Sequence, residues 1–225
     1  AHYGIGYANF AMGNMEESAE AFDEFVRDYT KRDDYLFDAQ NRIGDARFTL
    51  REFGAARNAY KISIASSSEC RHYARYQLAM LEGIDKKMTK KVEMLQGIVD
   101  DGVGDYVDDA WYELGRTHIA LEHYSDGAKA LQKFVESDSA SPYYVSAMSD
   151  LALAYYNLGR KQEAMACYEK VVEYDPQSAS ALEAIRSLRD IYVKEDRIDD
   201  YFAYAERSGV QSDMSAAARD SLTFA

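Results

Sequence analysis

Apolar residues recur three or four positions apart through most of the chain, the spacing of helices with one buried stripe. The pattern is clearest over AWYELGRTHIALEHYSDGAKALQKFV, residues 110–135. Trp111, Leu114, Gly115 and His118 share a face of one predicted helix, and Tyr124, Gly127, Ala128, Leu131 and Phe134 share a face of the next. A short polar turn joins the two. Glycine inside a helix costs about 1 kcal/mol against alanine, so Gly115 and Gly127 need a packing reason. With no side chain at either position the two backbones approach closely, and Trp111 and Phe134 fill the flanks.

The same arrangement repeats. Gly6, Gly13, Ser18, Phe22 and Phe25 fill the equivalent slots of a first copy, and Ile43, Gly44, Phe53, Ala56 and Tyr60 those of a second. A third copy keeps Leu78, Ala79, Met88, Leu95 and Ile98 but puts Lys91 where a small residue belongs. The fifth is the most complete, with Leu151, Ala152, Tyr155, Gly159, Ala164, Tyr168 and Pro176. The sixth keeps Leu188, Tyr192, Ile198 and Ala205 but places Tyr201 in a slot usually held by alanine. The small-residue positions are Gly6, Gly44, Ala79, Gly115 and Ala152, with Arg189 in the sixth copy, and are 38, 35, 36, 37 and 37 residues apart.

This pattern resembles the tetratricopeptide repeat (TPR), whose usual period is about 34 residues. The longer period here resembles the TPR proteins of bacterial cell envelopes. The resemblance implies an all-α superhelical solenoid of about six helix-turn-helix repeats. They are expected over residues 1–30, 35–67, 69–100, 106–138, 142–175 and 178–208, with the start of a further helix over 212–225. The linkers between repeats are short and polar and offer Ser, Asp or Thr as N-caps. No glycine- or proline-rich segment divides them, so a single continuous domain over 1–225 is expected. The chain begins inside a first helix and stops at the opening of another, which reads as a piece of a longer TPR protein.

Composition narrows the function. A net charge of −13 disfavours nucleic acid, which is bound by neutralising phosphates with Lys and Arg. No apolar run approaches the roughly 20 residues that span a bilayer, so no direct membrane insertion is expected. The two cysteines, Cys70 and Cys167, form no metal-binding spacing and leave the compartment open between envelope and cytoplasm.

The acids Asp100, Asp101, Asp105, Asp108 and Asp109 raise the question of calcium. An EF-hand loop needs glycine sixth and glutamate twelfth, positions held here by Asp105 and Trp111. An inter-repeat turn with acids near a helix N-terminus explains them better. Gly102-Val103-Gly104 lacks the preceding strand and third glycine of a dinucleotide site. The histidines make no zinc pattern, and His118 reads as a packing residue with one hydrogen bond. Lys86, Lys87, Lys90 and Lys91 read as a solvated outer face. No residues form an oriented acid/base pair. The expectation is therefore no catalytic residues, no metal and no cofactor.

What remains is the groove that the first helices of TPR pairs line. By the resemblance, its expected ligand-binding residues are Tyr73, Tyr76, Met80, Tyr112, Arg116, Ile119, Leu153 and Tyr156. Tyr and Arg are enriched at binding hot spots, whereas tyrosines also pack between repeats with their hydroxyls wet; the sequence leaves both readings open. The slots that hold Lys and Asn in chaperone-binding TPRs hold Tyr, Asp and Met here, so binding of chaperone tails is not expected. The reading is a non-catalytic scaffold that binds another protein or peptide. The alternatives are an accessory or regulatory segment of a larger enzyme, or a cell-envelope assembly factor.

Overall fold

A computed structural model describes residues 1–208. The further helix expected over 212–225 lies outside the described residues. Twelve α-helices and no strand occur among those described. They are α1 (His2–Met12), α2 (Met15–Asp28), α3 (Asp34–Thr49), α4 (Phe53–Ile64), α5 (Cys70–Ile84), α6 (Met88–Asp101), α7 (Val107–Ala120), α8 (Tyr124–Ser137), α9 (Tyr144–Asn157), α10 (Lys161–Tyr174), α11 (Ala179–Lys194) and α12 (Ile198–Arg207). They form six antiparallel pairs, an all-α TPR solenoid fold. Packing groups the chain into two units, Ala1–Ala110 and Trp111–Ala225.

Within the first unit, consecutive helices pack on one another from α1 to α6. Phe22, Ala39, Ile43 and Ala59 form one core cluster, and Ala56, Tyr60, Ala74, Leu78 and Leu81 another. The expected small-against-large pairing is what joins the helices. A Cβ on Gly6 would fall 2.8 Å from the Phe22 ring, and one on Gly44 would fall 2.4 Å from the Tyr60 ring. Ser18 replaces a small apolar residue on α2 by donating its hydroxyl to the Gly6 carbonyl (2.9 Å). A buried hydroxyl without such a partner would be destabilising.

In the second unit, α8 to α12 pack consecutively around a core that includes Leu131, Phe134, Leu151, Tyr155, Val171, Leu188 and Tyr201. Fully burying side chains of this size stabilises by about 1.5–3 kcal/mol each. Gly115 and Gly127 are as close as the sequence requires. A Cβ on Gly115 would lie 2.5 Å from Leu131 Cγ and 3.1 Å from its backbone nitrogen, and one on Gly127 would lie 3.2 Å from the Gly115 carbonyl oxygen. Gly115→Leu is therefore expected to destabilise by about 1–3 kcal/mol through overpacking. Urea unfolding at unchanged stability would contradict this register.

The turns inside the pairs follow one rule that the sequence hides. The residues Gly13, Arg51, Lys86, Glu122, Gly159 and Asp196 all have positive φ. At each, two backbone bonds close the preceding helix in the Schellman manner, as in His123 N–H to the His118 carbonyl (2.9 Å) and Glu122 N–H to that of Ile119 (2.9 Å). Four of the six positions carry ordinary side chains, so glycine does not mark them. The linkers between pairs also differ from expectation. Ser178 caps α11 by accepting from the Ala181 N–H (3.1 Å). Ser68, Ser141 and Asp175 instead accept from the backbone N–H two residues on, closing tight turns ahead of the helices.

Candidate functional site

The first helices of the second unit line a concavity. Leu153 and Tyr156 lie about one helical turn apart on α9, and Ser187, Asp190, Ile191 and Lys194 span two turns of α11. Together with Tyr168 of α10 they line a pocket of about 200 Å³. Leu153 is 40% exposed, although it is a leucine in mid-helix. Tyr168 and Ile191 are buried and form the floor. The Lys194 ammonium donates to the Tyr156 hydroxyl oxygen (2.7 Å) and lies 5.3 Å from the centre of its ring. The same hydrogen bond holds the Lys194 pKa above its ordinary value.

Arg116 is half exposed beside this region. It is 3.5 Å from Glu113 and 3.6 Å from Asp150, and its guanidinium lies over the Tyr112 ring. Burial raises the Asp150 carboxyl above its usual range, against the pull of Arg116. Two other expected groove residues pack within the repeats. Tyr112 is 6% exposed, stacked on Tyr143 at 5.0 Å and tilted on Phe134 at 5.1 Å. Ile119 turns into its own helix pair, where its Cδ1 occupies the space left by Gly127. Both are packing residues, because their side chains point towards α8 rather than away from it.

In the first unit, Tyr73, Tyr76 and Met80 are all on α5 and half-buried. Tyr76 stacks on Tyr106 with ring centres 5.6 Å apart. Tyr73 belongs to a polar network that the sequence does not reveal. Its hydroxyl and that of Tyr60 donate to the same Asp45 oxygen (2.6 and 2.7 Å), while Arg42 holds the other oxygen at 2.6 Å. The Arg42 guanidinium lies 4.9 Å above the Tyr73 ring. One turn earlier on α3, Asp38 accepts from the Tyr3 and Tyr7 hydroxyls. Burial and then Asp38 push the Tyr7 phenol up to about 12, and burial raises Tyr60 and Tyr73 beyond that. These phenols stay protonated near neutral pH. They act as hydrogen-bond donors and tie α1, α4 and α5 to α3.

The loop after α6 is a turn, with Gly102 and Gly104 at positive φ and Gly104 packed against His72. Among the described residues, no three His, Cys, Asp or Glu side chains are grouped to hold a metal ion. No helix among them is long and apolar enough to cross a membrane.

His118 packs 5.8 Å from His123, ring to ring, and its buried Nδ1 has no hydrogen-bond partner. Burial holds its pKa below the ordinary imidazole value; Asp126 opposes that shift and His123 adds to it. With the folded pKa depressed, its contribution to stability is complete above the unfolded value of ~6.5 and is lost as pH falls through the folded one. His118→Gln is expected to flatten the fall in urea midpoint between neutral and mildly acidic pH. An unchanged slope would show that His118 does not contribute to it.

Family models described as tetratricopeptide repeat match residues 112–185 and 1–31. No curated protein matches the sequence significantly. Among solved structures, the chain is similar to pilF of Pseudomonas aeruginosa at 15% identity, covering 100% of this chain and 96% of that one, with a TM-score of 0.68. It is similar to the MamA protein at 17% identity, 79% and 92% coverage and a TM-score of 0.63. It is also similar to YrrB, described as a TPR protein with an unusual peptide-binding site, at 13% identity, 82% and 90% coverage and a TM-score of 0.61. At these identities the likeness is one of fold.

Proposed function

The chain belongs to the tetratricopeptide-repeat family, and on that premise we propose that it is a non-catalytic scaffold that binds a segment of another protein along the first helices of its second unit. The observation that carries this reading is the pocket between α9 and α11. A mid-helix leucine stands 40% exposed there beside a tyrosine fixed by a lysine. Aromatic and apolar side chains held in place before binding supply affinity at low entropic cost. The half-exposed Arg116 extends the same face onto α7. The net charge of −13 favours a protein partner over nucleic acid.

Replacing Leu153 and Tyr156 together, as Leu153→Lys with Tyr156→Ala, is expected to abolish co-purification of the partner while the array stays folded. Lys129→Glu with Lys133→Glu on the exposed face of α8 is expected to leave it unchanged. Loss with the α8 pair and retention with the α9 pair would move the working surface to the second helices.

A further inference from the structure

We infer that the α9–α11 pocket takes one aliphatic side chain of a cationic peptide segment, whose backbone accepts a hydrogen bond from the Tyr156 hydroxyl and whose Lys or Arg residues face Asp190 and Asp150. This rests on the scaffold reading and names the partner chemistry. The volume of about 200 Å³ is below the roughly 300–1,000 Å³ typical of small-molecule sites and suits a single side chain. Its apolar contacts are Leu153, Ile191 and the faces of Tyr156 and Tyr168.

The polar groups set the orientation. An ammonium can only donate, so the Tyr156 oxygen accepts from Lys194 and its own proton remains to be given elsewhere. A peptide carbonyl across the mouth is the matching acceptor. Lys194 is thereby engaged and acts as a positioning residue for the Tyr156 ring. Asp190 lines the pocket, and its contact at 3.1 Å is with its chain neighbour Arg189, both side chains being well exposed. Exposed pairs of this kind contribute little, so Asp190 can turn to a ligand cation. Asp150 is about one turn before Leu153 on α9, its contact with Arg116 being at 3.6 Å. The charge of the whole chain draws in cationic segments at long range.

The test is selection of a random dodecapeptide display library on the full chain, followed by fluorescence polarisation of the enriched peptides. Enriched sequences should carry one invariant aliphatic residue flanked by Lys or Arg. Leu153→Ser should weaken their binding at least tenfold, Asp190→Lys should do so mainly by slowing association, and Tyr156→Phe should weaken it about fivefold. Lys129→Ser on α8 should have no effect. Enrichment of acidic peptides would overturn the cationic occupant. Peptides insensitive to Leu153→Ser and Asp190→Lys but lost in Tyr7→Ala would overturn this pocket while leaving the scaffold reading intact. Enrichment of no sequence would overturn both.

Discussion

Tyr112→Ala is expected to destabilise the second unit by about 3–5 kcal/mol, the range for removing a large aromatic from a core. The ring is 6% exposed and makes ring contacts with Phe134 and Tyr143. Phe134 is itself fully buried, so the cavity opens inside the α7–α8–α9 junction, walled on its other side by the half-exposed Tyr143. Urea unfolding followed by circular dichroism should show the loss, and Tyr112→Phe should retain most of the stability. A Tyr112→Ala variant as stable as the parent would place this ring outside the core.

Glu82→Ala is expected to cost about 3–5 kcal/mol, the range for removing one partner of a buried ion pair. Glu82 is 1% exposed, and its carboxylate receives Arg57 at 2.6 Å and Lys90 at 3.2 Å, with Lys87 at 3.9 Å. The alanine variant would leave Arg57 facing Asp85 alone, with a largely buried guanidinium short of one counter-charge. Denaturant unfolding with full reversibility gives the number directly. A loss below about 1 kcal/mol, the scale of exposed pairs, would show that the cluster is solvated in practice.

Both predictions mark the limit of what the sequence discloses. The register of the pairs was legible because it is local. Glycine at positions 6, 44 and 115 meets a ring or a leucine sixteen residues on, and a helical period carries that information without tertiary context. The direction of Tyr112 was not legible. On a helix the groove side and the pairing side lie only a residue or so apart, and Tyr112 was drawn inward by Tyr143, which comes from the linker before α9. The inward packing of Ile119 was not legible for the same reason, since the vacancy at Gly127 that it fills belongs to another helix.

The lysine patch shows a second limit. Lys87 and Lys90 are exposed, as periodicity predicts, but periodicity does not show that their ammonium groups also lie within ion-pairing distance of Glu82, a buried carboxylate one helix away. Lys91 in a slot meant for a small residue is accommodated by Gly83, against which its aliphatic stem lies at the distance of a close contact. The third repeat is thus degenerate in sequence and regular in backbone. Of the expected ligand-binding residues, Leu153 and Tyr156 come together in one pocket because they sit three apart on a single helix. The network of Arg42, Asp45, Tyr60 and Tyr73 spans three helices, and no spacing rule announces it.

Site-specific photo-crosslinking from residue 153, compared with residue 129 on α8, tests the central claim most directly. With a photoreactive amino acid at either position in cells, position 153 should capture a discrete polypeptide, and capture should fall when Asp190 is replaced by Lys. Position 129 should capture none. Efficient crosslinking from 129 with none from 153 would contradict the account and assign binding to the second helices.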